Sequence, residues 1–347
     1  MNRSLHGNIS QHGFGLVEIM IAITLGLLLT VAVLQLFISN NQSYQASEAI
    51  SLVQDGARYL QTELTKELRM TGYRGCLSKQ NVTLTNTLNN SGTLAYNFTA
   101  GLRGYNNLTS TLPAELSTLL TGDPLPRSGT DLLLIQAPFT PPFSISANSS
   151  SSQIFSDAQA GQALSAADIA MITDCNKGHI FQISAITASA ATSTISHDGS
   201  SMTPGNAVTS WATTNPNNAY DTHAEIMGYQ TQTYYIANNS ATGRPALYLK
   251  INGQAATVML DDVYDMQIKY GIDDNGDRQL DRYVDSPTVS IWNNVMALKL
   301  ELLMASPETG IVPKVQTIRF NGSNFTAPDT RWYMATTVTA VLRNRLN

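Results

Sequence analysis

Hydrophobic and polar positions fall into three successive textures along the chain. The first is an apolar run. Residues Met1 to Gly13 are polar. From Ile19 to Leu34 no charged residue occurs, and the apolar stretch reaches Ile38, broken only by Gln35 and hydroxyls. Counted from Phe14 it makes about 37 Å of helix at 1.5 Å per residue. That spans a hydrocarbon core of roughly 30 Å. The second texture, 39–72, is amphipathic. Ile50, Val53, Ala57, Leu60, Leu64 and Leu68 recur at three- and four-residue spacing, with Gln54, Asp55, Arg58, Gln61, Glu63, Lys66 and Glu67 opposite them. This is one face of an α-helix, and Gly72 and Gly75 mark its stop. The pattern predicts one helix, spanning lipid in its first half (14–38) and burying a stripe against a domain in its second.

The third texture fills 73–347. Residues 77–224 are rich in Asn, Thr, Ser, Ala and Gly. Asp131–Gln136, Ile169–Ile172 and His179–Ile186 read as buried strands within it. Pro138–Ser152 and Ala188–Ala219 read as long exposed loops. Across 228–347 the pattern is clearly β. Tyr229–Ala237, Ala246–Ile251 and Val263–Ile272 are expected strands. Met296, Leu298, Leu300, Leu302 and Met304 form a period-2 stripe, with Ala297, Lys299, Glu301 and Leu303 on the other face. Val312–Phe320 and Trp332–Leu342 complete the set. Such alternation argues for antiparallel strands with one covered face. The expected fold class is α+β: a long N-terminal helix packed on an antiparallel sheet, with a large irregular insertion between them.

Composition narrows the function. Lys and Arg number 20 against 25 Asp and Glu, for a net charge of −5, and no basic block occurs. That argues against wrapping nucleic acid or docking on an acidic surface. Charged residues make up only 13% of the chain, which suits an extracytoplasmic surface of uncharged polar groups. The two cysteines, Cys76 and Cys175, have no metal-ligand spacing. In an oxidising compartment they read as one bridge, whose long loop is worth roughly 4–5 kcal/mol in the chain-entropy model. The alternative is two buried free thiols.

The head of the chain is not an ordinary secretory signal. Its apolar run is too long, and no small-residue cleavage site follows. Arg3 before the run favours a cytoplasmic N-terminus. Glu18 is the odd residue, because a carboxylate in a spanning segment is costly and marks a functional position. The alternative is a generic anchor whose Glu18 snorkels to the interface.

Gly13-Phe14 followed by Glu18, at the head of a long apolar helix, resembles the class III signal of type IV prepilins. The resemblance implies cleavage between Gly13 and Phe14 by a prepilin peptidase, and N-methylation at Phe14. It also implies that Glu18 pairs with the N-terminal amine of a neighbouring subunit during assembly. The run Arg69-Met70-Thr71-Gly72-Tyr73-Arg74-Gly75-Cys76 after the helix resembles the PilW branch of minor pilins. Asp174-Cys175, Tyr270-Gly271-Ile272-Asp273 and Val341-Leu342-Arg343-Asn344-Arg345 do so as well.

That branch implies a pilin-like fold and a structural subunit that joins other minor pilins and the major pilin. It would prime assembly and sit at the pilus tip with a tip adhesin. The precursor would lie in the inner membrane as a single-pass protein with a periplasmic domain. Two other readings stay open: a minor pseudopilin of a type II secretion system, and an adhesin-like or DNA-binding tip module. Nucleic acid is not an expected partner.

One constellation suggests a ligand. Asp273, Asn275, Asp277 and Asp281 stand at positions 1, 3, 5 and 9, the spacing of oxygen ligands in calcium loops. Glycine stands at the fourth position rather than the sixth, and Val284 replaces the closing glutamate. The alternative is a solvated acidic hairpin, with Asn275-Gly276 as a two-residue turn. Catalysis has little support. His179 lies near a strand, while His197 and His223 read as loop residues. No metalloprotease, nucleophile-elbow, P-loop or dinucleotide motif occurs. The chain reads as a non-enzyme.

Overall fold

The computed structural model describes residues 15–77, 83–98, 101–199, 202–210, 219–289 and 292–345. The expected leader, with Gly13 and Phe14, lies outside them. Helix α1 runs without a break from Leu16 to Met70, roughly 80 Å at the usual rise. Residues 16–45 are all exposed. From there on Ala49, Val53, Ala57, Leu60, Leu64 and Leu68 are buried. Ala49, not Ile50, opens the stripe, and Ile50 is half-buried. Thr71 ends the helix, and Gly72 and Gly75 follow at φ +71° and +63°. This left-handed backbone is what stops a helix at glycine.

The stripe packs on a four-stranded antiparallel sheet ordered β14-β13-β15-β18. Its strands are β13 (Val263–Ile272), β14 (Arg282–Val284), β15 (Val295–Ala305) and β18 (Tyr333–Val341). Leu298, Leu300, Leu302 and Met304 of β15 meet Leu60, Leu64 and Leu68 in one core. Each of these three leucines is fully buried, a contribution of about 1.5–3 kcal/mol apiece. The face carrying Leu303 and Ala305 is covered separately by Phe320, Ala327 and Tyr333. Beside these residues lies the hairpin β16 (Thr317–Phe320) and β17 (Ser323–Thr326). The strand expected from Val312 begins only at Thr317. Pro313 lies in that run, and proline cannot donate to a ladder.

The insertion is folded, not irregular. Among the described residues nine strands precede Glu225: β1 (Thr83–Asn86), β2 (Leu102–Tyr105), β3 (Leu132–Pro138), β4 (Phe143–Ala147), β5 (Gln153–Asp157), β6 (Ile169–Thr173), β7 (Lys177–Gln182), β8 (Ala185–Ala188) and β9 (Thr192–Ser196). With β10 (Glu225–Asn238), β11 (Pro245–Ile251) and β12 (Thr257–Asp261) they form a twelve-stranded sheet. Two short helices, α2 (Ala114–Leu119) and α3 (Ala158–Ala163), lie in the same region. The 14-residue β10 is the seam, pairing with β3, β4, β6 and β11 along its length. One pairing is parallel, β1 on β7; the others are antiparallel.

Both expected loops contain strands, β4 in the first and β9 in the second. Their low hydrophobicity hides them: β4 carries exposed serines, and β9 and β5, the partner of β4, bury hydroxyls at core positions. Ser156 donates to the Ser144 carbonyl at 2.8 Å, and Ser193 accepts from the Gly161 N–H at 3.1 Å. The single strand expected over His179–Ile186 is two, β7 and β8. Between them the chain turns, and Gln182 ties that turn to Ala167, Thr203 and Gly205.

Candidate functional site

The structure offers three places where function can reside: the head of the helix, its junction with the sheets, and the acidic loop. At the head, Gly15 caps the helix and its carbonyl accepts from the Glu18 and Ile19 N–H groups. Glu18 lies in the first turn, where the partial positive charge of the helix end favours an acid. Its carboxylate is exposed and has no hydrogen-bond or ion-pair partner among the described residues. The most apolar 18-residue window of α1 has a mean hydropathy of 2.5, and none of it is buried in the domain. Its hydroxyls are satisfied within the helix. Thr24 donates to the Ile21 carbonyl and Thr30 to that of Gly26, as hydrocarbon demands of any polar group.

At the junction, polar clamps hold the spine to the sheets. Gln61 donates to Thr336 at 2.7 Å, Gln232 to Glu67 at 2.9 Å, and Asn344 to the Arg69 carbonyl at 2.9 Å. Just beyond the helix, Cys76 is bonded to Cys175, with Cα atoms 4.8 Å apart across 99 residues of sequence. The expected bridge is present. It ties the end of the spine to the β6–β7 turn, which Asp174 also closes by accepting from the Asn176 and Lys177 N–H groups.

The three histidines among the described residues divide. His223 is exposed beside Asp221. His179 is buried in β7, its Nδ1 2.6 Å from the Tyr220 hydroxyl, and burial drives its pKa down to about 4. His197, expected in a polar loop, is fully buried against Phe181, and burial lowers it to about 4 as well. Neutral imidazoles packed on aromatic rings are core residues here.

The acidic loop is a closed turn. Strands β13 and β14 pair at Ile272–Arg282, so 273–281 is a longer connection than the two-residue turn expected at Asn275-Gly276. Asp273 fastens it by accepting from the N–H groups of Asn275, Gly276 and Arg278. Asn275 accepts from Asp277, Asp277 from Gln279, and Asp281 from Asp274. All four candidate ligands thus turn oxygens onto backbone N–H groups of the loop. Among the described residues no group of three or more His, Cys, Asp or Glu is placed to hold a metal ion.

Pattern reading passed over two buried polar sites. Asp131 is fully buried at the start of β3 and accepts from the Asn107 and Ile268 N–H groups and from Asn106 Nδ2. Lys250, 4% exposed, is held by Asp123 and the Gln254 carbonyl, each at 2.6 Å. The available signal was an isolated acid heading an all-apolar strand, and a lone lysine within the alternation of β11.

Comparison with known proteins adds two matches. Residues 9–34 match the prokaryotic N-terminal methylation motif, and residues 233–344 match the family described as type IV pilus-assembly protein W. No curated protein and no solved structure matches the chain. The second match covers the C-terminal part of β10 from Thr233, then β11 to β18, and so contains the sheet on which the spine packs. The insertion strands and most of the spine lie outside both matches. One match begins the helix and the other supplies the sheet that buries its far end, and together they support a type IV pilin, PilW-like.

Proposed function

We propose that this pilin is a minor subunit that primes assembly of a type IV pilus and sits at its tip, and that it is not an enzyme. The supporting observation is the size and placement of its head. The twelve-stranded sheet extends the domain well beyond the four strands that the spine needs for burial. A head that large crowds lateral neighbours in a regular shaft and is accommodated at an end. In this reading a prepilin peptidase cuts between Gly13 and Phe14 and Phe14 is methylated. The precursor waits in the inner membrane with its domain in the periplasm. Glu18 then pairs with the N-terminal amine of an adjacent subunit, since a carboxylate packed among apolar helices needs a cationic partner. Other minor pilins, the major pilin and a tip adhesin are the assembly partners.

The test is deletion of the gene followed by electron microscopy, with immunogold labelling of the complemented strain. Loss of surface pili and gold confined to filament ends are expected. Retained pili with lost exoprotein secretion would place the chain in a secretion pseudopilus instead.

A further inference from the structure

A groove runs along the spine where it meets the domain. Its upper part, about 570 Å³, lies between Glu48, Ala49 and Leu52 of α1 and the loop Pro307–Ile311. Its lower part, about 470 Å³, shares Leu52 and Pro307 and continues past Gly56 to Val258 and Leu260 of β12. The floor is apolar and open: Leu52 is 57% exposed and Val258 39%. Gly56 fixes the bottom, since a Cβ there would stand 3.1 Å from both Leu260 and Met304. The groove begins at Gln45, where the fully exposed stretch of helix ends.

Its rim is acidic. Glu48, Asp55, Asp261, Asp262 and Glu308 line it, against the single base Arg244. Arg244 is taken by Asp262 at 2.8 Å, and Asp55 faces the exposed Arg58. The Glu48 and Glu308 carboxylates have no cationic partner among the described residues. An open apolar floor between unpaired carboxylates suits an apolar stripe flanked by Lys or Arg.

This chain does not carry that complement at the same height. Between Leu16 and Ala57 its own helix has Glu18, Glu48 and Asp55 and no Lys or Arg; the first base is Arg58. A second copy lying level alongside sets acid against acid, which disfavours the pairing. We infer that the groove receives the spine helix of a different pilin subunit, one presenting basic residues to Glu48 and Glu308. The inference rests on the pilin reading. It adds that the neighbour is selected by charge and that this face is not built for self-association.

The test is photo-cross-linking in living cells, using the full chain with a photoreactive residue in place of Leu52. A Glu48→Lys/Glu308→Lys variant of that chain is the comparison. The expected result is a heteromeric adduct with another processed pilin, identified by mass spectrometry. The adduct should fall at least tenfold in the charge-reversed variant and return when the partner's facing bases are changed to Glu. N-terminal processing and the intact disulfide serve as controls for folding and insertion. A homodimeric adduct, no adduct from a correctly processed chain, or an adduct indifferent to the reversal would overturn the inference. An unprocessed chain would instead count against the pilin reading itself.

Discussion

The Asp131 carboxylate accepts the Ile268 backbone N–H at 2.7 Å, across the boundary between the two sheets. The Asp131 N–H in turn donates to the Met266 carbonyl at 2.9 Å. The first residue before β3 thus extends the edge of β13, and one side chain couples the insertion to the spine-bearing sheet. Asp131→Ala would strand the buried Ile268 N–H and remove an acceptor from Asn106 Nδ2 and from the more exposed Asn107 N–H. At roughly 1–3 kcal/mol for one unsatisfied buried group, the loss of stability should be about 1–3 kcal/mol in denaturant titrations of the detergent-solubilised chain.

Asp131 also has a pH signature. Burial raises it to about 7, against the pull of its N–H donors and with Asp265 and Asp285 adding to the rise. The native state therefore holds a proton that the unfolded chain releases near pH 4. Its stabilising share is full below about pH 4 and is lost as pH rises through about 7. Asp131→Asn should flatten the decline in melting temperature over that window.

The buried histidines act with the opposite sign. With His179 lowered to about 4 by burial, the unfolded chain takes up a proton below about 6.5 that the native state refuses until about 4. Stability is present above 6.5 and lost as pH falls, by about 3 kcal/mol for this group. His179→Gln should reduce the fall in melting temperature between pH 6.5 and 4, provided its pH 7 stability is measured alongside.

Gly104 faces the Tyr270 hydroxyl so closely that a Cβ would overlap it. That hydroxyl is buried, without a hydrogen-bond partner among the described residues, on a ring packed edge-on against Trp292. Gly104→Ala should cost about 1–3 kcal/mol by overpacking. Tyr270→Phe alone should be neutral or slightly stabilising, and it should lessen the Gly104→Ala defect without abolishing it, since Cζ would still stand 2.5 Å from the new Cβ. Additive effects in the double variant would contradict this contact.

These sites show what the sequence could and could not disclose. The spine was legible because its apolar positions keep one period from Val53 to Leu68, and β15 because Leu298, Leu300 and Leu302 alternate strictly. The insertion was legible only in β3, β6 and β7, which fall on the expected runs 131–136, 169–172 and 179–186. Elsewhere its strands bury Ser156 and Ser193 beside Ile154 and Ile195, so hydrophobicity falls below what marks a strand, and their partners lie far away in sequence. Cys76–Cys175 could be anticipated from number and compartment alone. The Asp131 staple could not, because its donors come from Asn106, Asn107 and Ile268, brought together only by the fold. His197 looked like a loop residue because its polar neighbours gave no hint of the Phe181 ring above it.

Removing the bridge should be informative. Cys76→Ser with Cys175→Ser should lower stability by roughly 4–5 kcal/mol in the chain-entropy model, read from urea titrations of the detergent-solubilised full chain. A loss below about 1 kcal/mol would show that the β6–β7 turn is held against the spine without it.

The central claim concerns the head of the chain. Intact mass and N-terminal sequencing of the protein isolated from its own cells test it most directly. The account predicts a mature chain that begins at N-methylated Phe14, with Glu18 retained, and a full-length, uncut product for Gly13→Val. A chain still beginning at Met1, or one cut on the far side of the apolar helix, would contradict it.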